Sequence, residues 1–268
     1  GKHMVYKKNL MKQAFQSGKP TLGTHIFLPE PAIVEVIGNT GAYDYVEFLA
    51  EYNAFDLHDL DALARTTELM GLGSLIKLDW ELNRFIAHRA VGSGFEGVLF
   101  ADPRSVEDID YAIKSVRPDE PRFGGTYGAN ARRMTRPEYG GSEAYMQRIN
   151  DTVVGIMVEK PEMFEVLETA LQNKQIDFIQ WGPADYSMSS GISAEEKATK
   201  IPPVEAEVMR LCLEANIPFR VELHSVDQMK FYVDHGVRHF SIGYDIGILQ
   251  DQFKRLADGV RQGMEDYL

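Results

Sequence analysis

Two carboxylates close two apolar runs of this chain. Glu159 ends Val153-Val154-Gly155-Ile156-Met157-Val158-Glu159, and Asp185 follows Phe178-Ile179-Gln180-Trp181 through Gly182-Pro183-Ala184. Runs of this kind read as buried strands of a parallel sheet, and neighbouring strands would bring both acids to its carboxyl edge, where enzymes of this architecture bind ligands. Two acidic oxygen ligands with space beside them suit a hard divalent cation such as Mg2+ or Mn2+, and hence metal-assisted chemistry. Each acid also has a plainer reading. Glu159 precedes Lys160-Pro161 and can cap a helix, and Asp185 lies where an Asx-turn would form.

Other polar residues stand at or just past strand-like runs: His25, Glu51 and Tyr52, Lys77, Glu222 and His224, and Asp245. Carboxyl ends of barrel strands converge, so these residues are candidates for the same cavity. Lys77 can act as a charged ammonium that binds a carboxylate or steadies a developing negative charge. A Schiff base is the alternative, but it needs a lowered pKa, and acidic neighbours would raise it. Tyr52 is a poor base near neutrality, since a phenol titrates near 10 and an imidazole near 6.5, yet it can serve as an acid or orient a substrate. His25 could bring such an imidazole into the cavity, or simply pack. Arg132-Arg133 could reach an anionic substrate group or face solvent. His58, His88, His235 and His239 show no ligand-like spacing. Gly71-Leu72-Gly73 precedes a strand rather than following one, so it is not a dinucleotide fingerprint.

The elements that must position these groups alternate. Short apolar or β-branched runs fall at 21–26, 45–49, 74–78, 97–101, 153–159, 178–181, 218–222 and 239–243. Helical spacing fills 31–39, 58–70, 81–91, 106–115, 161–172, 203–215 and 226–235, with Ser105 and Ser225 as helix-starting caps. Eight strand–helix repeats in about 250 residues predict a (β/α)8 TIM barrel, one domain over 5–268. The long interruption at 117–150, rich in Arg, Gly and Tyr, is expected to be an active-site insertion or lid. A final helix over 248–267 carries Leu249, Phe253, Leu256, Val260 and Met264 on one face, which must pack on its own barrel or on a neighbouring subunit.

Composition narrows the function classes. A net charge of -12 argues against a nucleic-acid partner, which needs a basic face. The single cysteine, Cys212, cannot form an internal disulfide or a thiolate metal site, so a cytoplasmic setting is expected, with Cys212 as core filler. No apolar stretch is long enough to span a membrane, so no membrane partner is expected either. Gly1-Lys2-His3-Met4 resembles an expression remnant ahead of a native start at Met4.

The chain resembles the HpcH/HpaI aldolase family, the class II metal-dependent pyruvate aldolases related to citrate lyase β-subunits and macrophomate synthase. Val158-Glu159, then Trp181-Gly182-Pro183-Ala184-Asp185-Tyr186-Ser187 and Ser190-Gly191, match that family's two metal-binding motifs in order and spacing. The likeness runs from Leu22-Gly23-Thr24 to Ile242-Gly243-Tyr244-Asp245. It implies a barrel in which Glu159 and Asp185 hold Mg2+ or Mn2+ and a 2-keto acid such as pyruvate chelates the metal. Carbon–carbon cleavage would then release an aldehyde and a metal-stabilised enolate. The substrate would sit against Trp181, Gly182, Pro183 and Ala184, with the backbone amides near Ala184 and Asp185 taking its carboxylate. The resemblance further implies a homo-oligomer, trimer or hexamer, with the C-terminal helix exchanged between subunits.

Three positions depart from the family pattern. Asp-Gly-Glu-His becomes Leu49-Ala50-Glu51-Tyr52, removing the usual acid/base pair; an arginine at the third strand end becomes Lys77; and Arg-Gly in the insertion becomes Gly124-Gly125. Lys77, His25, Tyr52 and Glu51 are therefore the catalytic candidates. The reactions to weigh are aldol cleavage, a related decarboxylation or carbon–carbon ligation through the same enolate, and a barrel that has lost turnover and serves as a binding subunit.

Overall fold

Parallel strands that each cross over through a helix can bury both faces only by stacking side by side, and eight of them can close on themselves. The computed structural model, which describes residues 8–134 and 140–268, shows that closure: β1 to β8 pair in chain order, all parallel, and β8 returns to β1. Residues 1–4, the expected remnant, lie outside the described range.

The first half runs α1 (Leu10–Gln16), β1 (Thr21–Ile26), α2 (Pro31–Asn39), β2 (Tyr45–Leu49), α3 (Leu57–Leu69), β3 (Gly73–Leu78), α4 (Asn83–Ser93), β4 (Gly97–Phe100) and α5 (Val106–Ser115). The second runs α6 (Glu143–Asn150), β5 (Val153–Val158), α7 (Pro161–Glu165), α8 (Leu167–Ala170), β6 (Phe178–Trp181), α9 (Pro183–Ser189), α10 (Lys197–Glu214), β7 (Phe219–Leu223), α11 (Met229–Asp234), β8 (His239–Tyr244) and α12 (Asp245–Glu265). Each expected strand is present within about two residues. Ser105 caps α5 as its sequence position suggests, accepting from Asp108 N–H. The helix expected at 161–172 is instead two short ones, α7 and α8.

Two apolar layers follow from the period of two along each strand. Outward side chains such as Val46, Phe48, Ile76, Val98 and Ile156 meet the helices in one large core. Inward ones, including Tyr45, Leu75, Leu99, Met157 and Phe178, form a second core with Met11 and Phe15 of α1. Helix α1 is thus a plug. Asn9 caps it and ties it to the carbonyls of Glu96 and Asp151, and Phe15 stacks on His239 at 4.5 Å.

The lumen also holds a charged network. Arg220 is fully buried, with Nη2 2.6 Å from Glu47 Oε1, Nε donating to Gln180 at 2.9 Å and Nη1 donating to the Tyr45 hydroxyl at 3.1 Å. Its guanidinium lies 4.8 Å from the centre of the Phe178 ring. Charges this deep are tolerated only when paired and hydrogen-bonded, and every strand contributing here faces its group inward.

The segment 117–150 lies between α5 and β5 in the chain, and several of its described residues contact the outer helices. Arg132 pairs with Asp61 at 2.6 Å, Arg133 pairs with Glu68 at 2.6 Å and donates to Ser93 O, and Tyr127 donates to His88 O. Both arginines are thereby engaged on α3, and Arg133 also on α4.

Candidate active site

Glu159 follows β5 directly and Asp102 stands two residues past β4, its neighbour in the sheet. Asp102 adopts the left-handed backbone region, with φ 61°, and its N–H donates to Glu159 Oε1 at 2.8 Å. A left-handed non-glycine residue costs about 1 kcal/mol or more and clusters at functional sites. Lys160 Nζ lies 3.3 Å from Asp102 Oδ1 and donates to Ser189 Oγ at 3.1 Å, linking this turn to α9.

Glu51 and Tyr52 are carried by a single 3-10 turn, Ala50–Tyr52, that leaves the end of β2. Lys77, inward-facing near the end of β3, reaches both, with Nζ 3.0 Å from Glu51 Oε2 and donating to the Tyr52 hydroxyl at 2.6 Å. Glu51, Asp102 and Glu159 each offer a carboxylate oxygen, and these three atoms lie within 4.8 Å of one another.

Burial is the main influence on Glu159, and with the charges of Asp102 and Glu51 it pushes the carboxyl up to about 8 against the opposing pull of Lys77 and of the Asp102 N–H. Glu51 is also raised, by burial first, with Lys77 opposing. For Lys77 burial works downward, but Tyr52, Glu51 and Glu159 outweigh it and hold the ammonium above the ordinary lysine range. Burial raises the Tyr52 phenol, so it keeps its proton at neutral pH. The site therefore places the firmly charged Lys77 beside carboxylates that are costly to ionise together.

A divalent cation fits this donor set. Every candidate ligand atom is a carboxylate oxygen, which suits a hard ion. Glu159 is 1% exposed, and its Oε2 is buried without a hydrogen-bond partner. Room for that oxygen is made by Gly182, where a Cβ would fall 2.7 Å from Glu159 Oε2. Here the two sequence motifs meet.

Beyond Gly182, Pro183 opens α9 and Asp185 sits in its first turn, half-buried and outside the group of three carboxylates. Pro183 and Ala184 are exposed, whereas Trp181 is buried against Tyr186 with its indole N–H unpartnered. His25 is 2% exposed, bonded through Nδ1 to Gly243 O at 3.0 Å, with Nε2 3.5 Å from Glu47 Oε1. Its described polar contacts are with Gly243 and with Glu47 of the lumen network, and not with Glu51, Asp102 or Glu159. Asp245 accepts the N–H groups of Phe27 and Leu28 at 2.8 and 2.9 Å, a structural tie, while Glu222 and His224 are exposed.

Sequence reasoning missed Asp102, Glu47 and Arg220. Asp102 carried the same signal as the other candidates, a polar residue closing an apolar run, in Leu99-Phe100-Ala101-Asp102-Pro103. Glu47 and Arg220 carried another, opposite charges in the middle of apolar strands.

No family model matches the chain, and no curated protein matches it. Solved structures do. The HpcH/HpaI aldolase from Desulfitobacterium hafniense DCB-2 superposes with a TM-score of 0.82 at 20% identity, covering 97% of this chain and 98% of that one. Macrophomate synthase gives 0.82 at 15% identity, over 97% and 90%. A citrate lyase β subunit from M. tuberculosis, complexed with oxaloacetate and magnesium, gives 0.56 at 9% identity, over 84% and 92%. At these identities the likeness is one of fold, and this chain shares the barrel of those proteins along nearly its whole length.

Proposed function

We propose that this protein is a divalent-metal-dependent carbon–carbon lyase acting on a 2-keto acid. The observation that carries the reading is the grouping of Glu51, Asp102 and Glu159 beside a protonated Lys77 at the carboxyl end of a closed barrel. The shared fold with an aldolase, and with a lyase subunit complexed with oxaloacetate and magnesium, supports it.

Glu159, Asp102 and Glu51 are the proposed metal ligands in this chain, with Asp185 the additional carboxylate that the family resemblance implies. The bound cation would supply Lewis-acid stabilisation of negative charge developing on the keto oxygen. Lys77 would hold the same charge as a fixed ammonium, which needs no reorganisation when the charge appears. The backbone amides of Ala184 and Asp185, beside Trp181, Gly182 and Pro183, are the proposed anchor for the substrate carboxylate.

In the cleavage direction the 4-hydroxyl proton passes to the Glu51 carboxylate, the bond between carbons 3 and 4 breaks, and its electron pair stays with the keto-acid half. Carbon 3 then takes that proton from Glu51, leaving pyruvate and an aldehyde and returning Glu51 to its carboxylate. Tyr52, protonated and bonded to Lys77, would orient the oxygen that becomes the aldehyde. His25 is proposed to act through packing on Glu47. Run backwards, the same steps ligate carbon to carbon, a direction supported by the likeness to macrophomate synthase.

The apolar face of α12 supports exchange between subunits. Ile248, Leu249, Phe253, Leu256, Val260 and Met264 are all exposed, and a groove of about 400 Å3 lined by Ile33, Val36, Ile37 and Tyr43 opens beside the first turns of that helix.

The test is hydrogen–deuterium exchange at the methyl group of pyruvate in D2O, followed by NMR with Mg2+, with Mn2+ and with chelator. Metal-dependent exchange that Glu159→Gln abolishes is expected. No exchange despite metal and pyruvate binding would move the assignment to a binding subunit.

A further inference from the structure

Three aromatic rings line one side of the barrel mouth. Tyr244 ends β8, Phe27 follows β1 and Tyr52 follows β2, three adjacent strands. The Phe27 ring centre lies 5.4 Å from that of Tyr244 and 6.0 Å from that of Tyr52, within the range where aromatic pairs attract. Phe27 is half-buried, whereas Tyr244 and Tyr52 are 43% and 50% exposed. The row ends at the charged site, since the Tyr52 hydroxyl accepts from Lys77 and Glu51 is the preceding residue.

The row is held in place by groups with no other evident task. Asp245 uses one oxygen for the Phe27 and Ile246 N–H groups and the other for Leu28 N–H, which fixes the β1–α2 loop against the end of β8. Gly247 stands under Tyr244, where a Cβ would lie 2.5 Å from the ring. A glycine inside a helix costs about 1 kcal/mol relative to alanine, and here it lets the ring lie down on the first turn of α12.

From this we propose that Phe27, Tyr52 and Tyr244 form the subsite for the second, electrophilic substrate of the lyase reaction, and that it selects a planar apolar molecule such as an aromatic aldehyde. The inference rests on the reading of the site as a keto-acid lyase. Phe27, stacked on Tyr52 and tilted against Tyr244, makes with them a row that offers dispersion and quadrupole contacts to a flat apolar body. The hydrogen-bonding group at the end of the row is the Tyr52 hydroxyl, where the carbonyl oxygen of such an aldehyde would point. A short hydroxylated aldehyde would gain little along the rings.

Binding and selectivity test this separately. Saturation-transfer NMR with benzyl alcohol, an unreactive aromatic probe, is expected to show contact to its ring protons, and ethylene glycol is expected to show none. Tyr244→Ala, Phe27→Ala and the milder Phe27→Leu, each checked for fold by circular dichroism, should weaken benzyl alcohol binding about three- to tenfold per ring removed. In turnover with pyruvate, the ratio of kcat/KM for benzaldehyde to that for glycolaldehyde should fall by a similar factor. Benzyl alcohol contact that is absent in the wild type, or equal in wild type and folded variants, would overturn the subsite. Variant-sensitive contact without pyruvate exchange in the wild type would leave the aromatic subsite standing and remove the lyase reading instead.

Discussion

The main-chain N–H of Asp102 donates to Glu159 Oε1 at 2.8 Å from a residue held at φ 61°, so the turn that places one carboxylate also orients the other. Asp102 brings its own carboxylate into the group of three while its backbone satisfies half of Glu159.

Substitution at 102 separates those two contributions. Asp102→Gly keeps the N–H and relieves the left-handed strain, so thermal stability should hold or rise by about 1 kcal/mol. Metal affinity should nonetheless drop about 10- to 100-fold, the range seen when a carboxylate supporting a metal is removed. Mn2+ titration calorimetry alongside thermal melting checks both, and undiminished affinity would remove Asp102 from the ligand set.

The raised carboxyl of Glu159 predicts a pH dependence of definite sign. Its folded value of about 8 lies above the ordinary 4.5, so the native metal-free protein binds the proton more tightly than the unfolded chain does. Stability from this group is present below the unfolded value and is lost as pH rises towards 8. Metal-free melting temperature should therefore fall across that window, and Glu159→Gln should flatten the slope. Mn2+ competes with the same proton, so its affinity should climb with pH up to about 8 and then level.

A charged Lys77 predicts the absence of an imine. Borohydride added with pyruvate should leave the protein mass unchanged, and a trapped adduct on Lys77 would overturn the electrostatic role. Lys77→Met should slow pyruvate exchange about 100- to 1000-fold, the usual loss when a preorganised charge-stabilising donor is removed.

The lumen pair predicts a stability effect separate from chemistry. Removing one partner leaves the other charge buried, so Arg220→Met should cost about 3–5 kcal/mol. Glu47→Gln in the same chain should recover much of that loss, giving a strong coupling in a double-mutant cycle read by calorimetric melting.

Assembly is tested on α12. Phe253→Asp with Leu256→Asp places charge on the exposed apolar face and should shift the mass measured by light scattering from an oligomer to a single chain. An unchanged mass would remove this face from the interface.

Much of this was legible in one dimension. Alternating runs of period two and 3.6 determine strands and helices locally, and eight repeats leave few ways to bury both sheet faces, so the barrel follows from pattern alone. Chain direction then dictates that Glu159, Glu51, Tyr52 and Lys77 stand near the carboxyl ends of their strands. What the tertiary structure decided is which of these groups touch. Asp102 joins Glu159 through a left-handed turn that no periodicity encodes, and Asp185, in the first turn of α9, lies outside that group of three. Glu47 meets Arg220 because closure brings strands 173 positions apart in sequence around one lumen. Likewise Arg132 and Arg133 are held on α3 by ion pairs, a placement that depends on which helices are neighbours. Local sequence sets conformation and strand direction; contact between distant side chains is set by barrel closure and register, which exist only in the folded chain.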